Sequence, residues 1–121
     1  MCIRDRYENT TASYNTAVGK EALKLNTTGS ANTALGQVSL HNNTTGIDNT
    51  SLGANVLRKN STGDHNTGVG RMALYEVTTG SINTGVGRSA GYDVTTGGNN
   101  TFIGYQAGTS SSPSGLSLIH I

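Results

Sequence analysis

Residues 68–73, GVGRMA, and residues 85–90, GVGRSA, carry the spacing G-x-G-x-x-A. In a dinucleotide-binding fold such glycines bring backbone N–H groups against a pyrophosphate at a helix N-terminus. That chemistry needs a strand before the motif and a helix after it. Here the segment NTGVG starts again only 17 residues later, so the helix has no room and the glycines read as backbone corners. His41 and His65 stand apart, whereas a metal site needs three or four ligands brought together. Asp48, Asp64 and Asp93 lack the regular spacing of calcium-binding coils. All five read as solvated surface, and no metal site is assigned. Asn26-Thr27-Thr28 and Asn43-Thr44-Thr45 are glycosylation sequons, meaningful only in a protein secreted by a eukaryotic host. Tyr7, Tyr75 and Tyr92 share one place in a repeating pattern, suited to packing at a rim and, as a second option, to a glycan. The Thr-Thr pairs raise ice binding, but a regular T-x-T that would put two threonines on one face is absent. No nucleophile sits beside a base and no carboxylates are paired. The residues assign no catalytic site and no cofactor, and the chain is read as no enzyme.

The pattern that positions these residues is a repeat. The pair Asn-Thr begins at Asn15, Asn32, Asn49, Asn66, Asn83 and Asn100, each 17 residues after the last. The copies read NTAVGKEALKLNTTGSA, NTALGQVSLHNNTTGID, NTSLGANVLRKNSTGDH, NTGVGRMALYEVTTGSI, NTGVGRSAGYDVTTGGN and a fading NTFIGYQAGTSSSPSGL. Fixed-period self-similarity is the mark of a solenoid in which one repeat makes one coil.

Numbering a coil from its Asn, position 4 is always apolar: Val18, Leu35, Leu52, Val69, Val86 and Ile103. Position 9 is Leu23, Leu40, Leu57 and Leu74, then glycine. These two columns are the expected core. Position 5 is glycine at Gly19, Gly36, Gly53, Gly70, Gly87 and Gly104, and position 15 at Gly29, Gly46, Gly63, Gly80 and Gly97. Two constant glycines per coil predict two corners with positive φ or close backbone approach. Frequent Gly, Asn and Thr argue against helix. NTAV and NTTG read as short strands between corners. The expected fold is all-β: a parallel β-solenoid of about six 17-residue coils spanning residues 7–108, with stacked strands about 4.8 Å apart. Asn15, Asn32, Asn49, Asn66, Asn83 and Asn100 would then form a ladder, each amide bonding to the next. Two aliphatic side chains per coil bury little apolar surface against the entropy of ordering the coil. Sharing that surface in a homotrimer is the expected remedy, with position 4 or position 9 facing the partners.

The two ends do not belong to the pattern. Residues 1–6, MCIRDR, can be encoded by ATGTGTATAAGAGACAG, whose reverse complement encodes LSLIH, the start of residues 116–121. Both segments resemble an inverted transposon-end adapter, so they are set aside as adapter-derived and residues 7–115 are read as an internal stretch of a longer protein. Setting aside Arg4, Asp5 and Arg6 takes eight basic and seven acidic residues to six of each. A neutral stretch has no electrostatic footprint for nucleic acid or an anionic membrane. The one cysteine, Cys2, lies in the adapter segment, so the repeats hold no disulfide. Residues 109–115, TSSSPSG, read as a linker leaving the solenoid.

With its Asn-Thr pair, apolar position 4 and glycine at position 5, the array resembles the NTAxG-type repeats of phage and viral tail-fibre proteins. Many of those carry a C-terminal self-cleaving endosialidase-type chaperone domain. It is also similar to the shorter head repeats of trimeric autotransporter adhesins. The resemblance implies a left-handed, trimeric β-roll on a virion tail fibre or a bacterial surface. It implies a structural, receptor-presenting rod for host attachment. The alternative is the passenger or head region of a bacterial trimeric adhesin, and an ice-binding solenoid is third. A host-surface receptor or glycan is a partner through the parent protein.

Overall fold

The structure, a computed structural model, describes residues 11–109. Both adapter-derived segments, Tyr7 and residues 110–115 of the linker lie outside the described residues. Within them the chain is a parallel β-solenoid of 17-residue coils and contains no helix. Each coil contributes one three-residue strand: β1 Thr16–Val18, β2 Thr33–Leu35, β3 Thr50–Leu52, β4 Thr67–Val69, β5 Thr84–Val86 and β6 Thr101–Ile103. They form one six-stranded parallel sheet in chain order. The register is the repeat itself, from Thr16 opposite Thr33 to Val86 opposite Ile103.

The backbone bonds run from coil to coil. Thr16 donates to the Asn32 carbonyl at 2.8 Å, and the same bond recurs from Thr33, Thr50, Thr67 and Thr84. On the far side of the strand, Gly36 donates back to Val18 at 2.8 Å, and each later position-5 glycine repeats the bond. The segment NTTG is not a strand, contrary to its sequence reading. The N–H groups of Thr27, Thr28 and Gly29 instead converge on the Thr44 carbonyl at 3.0, 3.1 and 3.2 Å. One carbonyl serves all three N–H groups there, and the Thr27 hydroxyl at 2.9 Å as well, in place of a strand ladder.

The core also differs from the expected one. Leu23, Leu40, Leu57 and Leu74 are buried and stack along the axis of the solenoid. Position 4 is not core: Val18, Leu35, Val86 and Ile103 are 37, 49, 37 and 46% exposed, and Leu52 and Val69 are half-buried. The strand instead turns position 3 inward, where Ala34, Ser51, Gly68, Gly85 and Phe102 are buried. Small residues suit position 3 because the position-9 leucines already fill the interior opposite them. Ala22, Ser39, Val56, Ala73, Ala90 and Ala107 at position 8 complete the packing.

That interior demands an unusual backbone. Leu23, Leu40, Leu57 and Leu74 hold φ between 47 and 52°, and non-glycine residues at positions 7 and 17 are also left-handed. A left-handed L-residue costs about 1–2 kcal/mol. For the leucines, complete burial of the side chain at roughly 2 kcal/mol offsets it. Their N–H groups still bond to the next coil, Leu40 to Val56 at 2.9 Å for example.

Candidate functional site

The recurring chemistry of each coil lies inside, in its asparagines. The backbone N–H of Asn32 donates to Asn15 Oδ1 at 2.9 Å. The same N–H to Oδ1 bond links Asn49 to Asn32, Asn66 to Asn49, Asn83 to Asn66 and Asn100 to Asn83, at 3.0–3.2 Å. Meanwhile Nδ2 of Asn15, Asn32, Asn49, Asn66 and Asn83 donates to the position-15 glycine carbonyl of its own coil at 2.8 Å. The expected amide-to-amide bond is present between Asn49 and Asn32, Asn83 and Asn66, and Asn100 and Asn83. Each asparagine from Asn15 to Asn83 therefore closes one coil and ties it to its neighbour. A buried pair left without its partner costs about 1–3 kcal/mol per orphaned group, which makes this file a principal brace.

A second asparagine file, at position 12, was visible in the sequence only as a run of sequons. Asn43 Nδ2 donates to Asn26 Oδ1, and Asn60 Nδ2 to Asn43 Oδ1, both at 2.8 Å. All three also donate to the glycine three residues on. Their amides are buried and engaged, so the sequons at Asn26, Asn43 and Asn60 present no free side chain for a glycan. The file stops at Val77, and Asn60 Oδ1 is left buried without a partner.

Both glycine columns are required, for different reasons. At Gly36 φ is +131°, and an added Cβ would lie 2.5 Å from the Gly53 carbonyl oxygen. At Gly29 φ is ordinary, but a Cβ would overlap the Gly46 carbonyl and Asn26 Oδ1. The GVGRMA and GVGRSA glycines belong to these strands and corners, with Gly68 and Gly85 inside β4 and β5.

Outside, the chemistry is sparse. His41 lies 3.7 Å from Glu21, and His65 3.8 Å from Asp48. No three His, Cys, Asp or Glu residues come together among the described residues. Tyr75 and Tyr92 stack with centroids 5.1 Å apart and planes 7° from parallel, at the spacing of one coil. Arg58 donates to the Tyr75 hydroxyl at 2.6 Å and lies over its ring. The Lys59 ammonium is held above its usual range, first by its 2.7 Å hydrogen bond to Glu76. Burial pushes the Tyr92 phenol up. These groups pack one another along a rim.

The strand face is different. Outward from β1–β6 point the position-2 threonines and the position-4 aliphatic residues. All exposed large hydrophobic side chains among the described residues, namely Tyr14, Val18, Leu35, Ile47, Ile82, Val86, Ile103 and Tyr105, lie on this face or at the corners bordering it. No helix among the described residues is long and apolar enough to cross a membrane. No protein-family model, curated protein or solved structure matches the chain. The fold and this surface therefore carry the functional reading.

Proposed function

We propose that these coils are a segment of a structural, receptor-presenting shaft in a tail-fibre-like protein, working as a homotrimer in host attachment. One observation carries the reading: each coil repeats the same backbone bonds and the same asparagine brace with a constant 17-residue register. A recognition or catalytic centre would break that symmetry at one coil, and a rod under mechanical stress has reason to keep it. Bending or shearing the rod must break backbone and asparagine bonds together, which makes it stiff. Variable residues then ride on its outside at fixed spacing. A virion tail fibre or a bacterial surface is where such a rod would serve, and no reaction is assigned to it.

The head or passenger region of a bacterial trimeric adhesin uses the same physics. Recovering the adjoining DNA, by amplifying outward from the codons of Tyr7 and Gly115, separates the two. An adjoining self-cleaving chaperone domain is expected for a fibre; adjoining membrane-spanning strands would make the rod an adhesin. The ice-binding reading draws support from the threonine and aliphatic columns that share the outward strand face. Thermal hysteresis of the purified protein tests it, and a freezing point equal to that of buffer removes it.

A further inference from the structure

We infer that the strand face and its two bordering corners, positions 16 to 6 of each coil, form the surface on which parallel copies of this chain pack together. The inference rests on the trimeric-rod reading and says which face makes the trimer, in which direction. Position 9 is spent on the chain's own interior, so it offers nothing to a partner. Position 4 supplies an aliphatic file from Val18 to Ile103, exposed at Val18, Leu35, Val86 and Ile103 and half-exposed at Leu52 and Val69. Exposed large apolar groups scattered at random would need no explanation. Here they all gather on one arc, and positions 7 to 15 have none among the described residues. A contiguous apolar strip of this kind marks an interaction surface.

Charge at the two corners fixes the partner and its direction. Position 6, at the C-terminal edge of the strands, carries Lys20, Arg71 and Arg88 and no acidic residue. Positions 16 and 17, at the other edge, carry Asp48 and Asp64, with His65 3.8 Å from Asp48 and no Lys or Arg. Arg71 and Asp64 flank the same strand, β4, on opposite sides. Copies running parallel and in register place the basic edge of one against the acidic edge of the next. Antiparallel copies face to face place basic edge against basic edge. The arrangement is head-to-tail around the rod axis, the kind of contact that closes into a ring. The strands alone span roughly 25 by 10 Å, well short of the ~800 Å² per partner of a standard interface. The corners must therefore take part, and association must strengthen with each coil added.

Sedimentation of the purified chain, from micromolar to millimolar concentration, tests this. A trimer is expected, dissociating at least about tenfold more readily in Leu52→Glu and in Val69→Lys, with circular dichroism unchanged because both side chains face out. Arg71→Glu is expected to weaken association similarly, and Asp64→Lys added to it to restore most of the loss. On the opposite arc, Thr79→Lys is expected to change nothing. A trimer indifferent to Leu52→Glu and Val69→Lys would overturn the face assignment and leave the trimeric rod standing. Dimers sensitive to both variants and to the charge exchange would keep the face and overturn the trimer. A folded chain that stays monomeric at millimolar concentration overturns both, and thermal hysteresis in that monomer would give the face to ice.

Discussion

Coils 15–31, 32–48, 49–65 and 66–82 differ from the two that follow in how they fill the same backbone. In the first four, a leucine at position 9 occupies the interior and position 3 is small. In the last two, position 9 is Gly91 and Gly108, and Phe102 enters from position 3. Its ring lies where a side chain at either glycine would be: a Cβ at Gly91 would meet Phe102 Cδ2 at 2.7 Å, and one at Gly108 would overlap the same ring. One aromatic side chain thus replaces two leucines. The position-12 column changes one coil earlier, from Asn26, Asn43 and Asn60 to Val77 and Val94. The asparagine file at position 1 and the position-5 glycines do not change. The coil is therefore set by its backbone bonds and corners, while the interior need only conserve volume.

If so, the largest effects fall on what the two regions share. Gly36→Ala and Gly87→Ala should each cost about 3 kcal/mol or more, because both combine positive φ with a Cβ set against the next coil's carbonyl. Equal losses in urea denaturation are expected; a mild effect at either position would break the claim that corners are common to both regions. Asn66→Ala should approach the same size, since it orphans the Asn83 N–H and the Gly80 carbonyl together.

Interior substitutions should separate the regions. Phe102→Ala is expected to cost about 3–5 kcal/mol. Gly91→Leu alone should cost about 1–3 kcal/mol by overpacking against Phe102 and Leu74. Combined, Gly91→Leu and Phe102→Ala convert that coil to the leucine solution and should be less damaging than the sum by at least about 1 kcal/mol. Strict additivity in the double-mutant cycle would refute volume exchange between the two positions.

The end of the second asparagine file gives a smaller and sharper test. Val77→Asn would satisfy Asn60 Oδ1 but bury a new unpaired oxygen at residue 77, so it should fall within about 1 kcal/mol of neutral. Adding Val94→Asn carries the open acceptor to a half-buried coil, where water can reach it, and should be the more stable of the two. Val38→Asn should stabilise by about 0.5–1 kcal/mol, because a β-branched residue at φ 57° is strained and asparagine tolerates that conformation. Asn55 already holds the equivalent place one coil on, at φ 58°.

The smallest effect is one of pH. Lys59 and Tyr92 both have folded-state pKa values above their unfolded ones, so each favours the folded state while protonated. Their contribution is complete below the unfolded values and fades as pH rises through the folded ones, in the range above about pH 10. Alkaline titration followed by circular dichroism should show that loss, reduced in Tyr92→Phe. Lys59 is exposed, so its share is slight.

Much of this was readable from the chain before any fold was known. A residue type recurring every 17 positions is in itself a statement about environment, because each coil must meet the same neighbours above and below. The parallel stack, the position-1 asparagine file and the two corners follow from that, and the amides' exact partners are the only part of the file that the sequence left open. Which side of the strand faces inward was another matter. Three residues are too few for alternation to declare a face, and the aliphatic position 4 looked like core. Burial belongs to whatever crosses the interior, and only the folded coil shows that the position-9 leucines already fill it, leaving position 3 to small residues and position 4 to the outside. The pairing of Phe102 with Gly91 and Gly108, the left-handed leucines and the gathering of exposed apolar groups on one arc have the same origin: they are relations between columns, which stacking brings together and sequence spacing keeps apart.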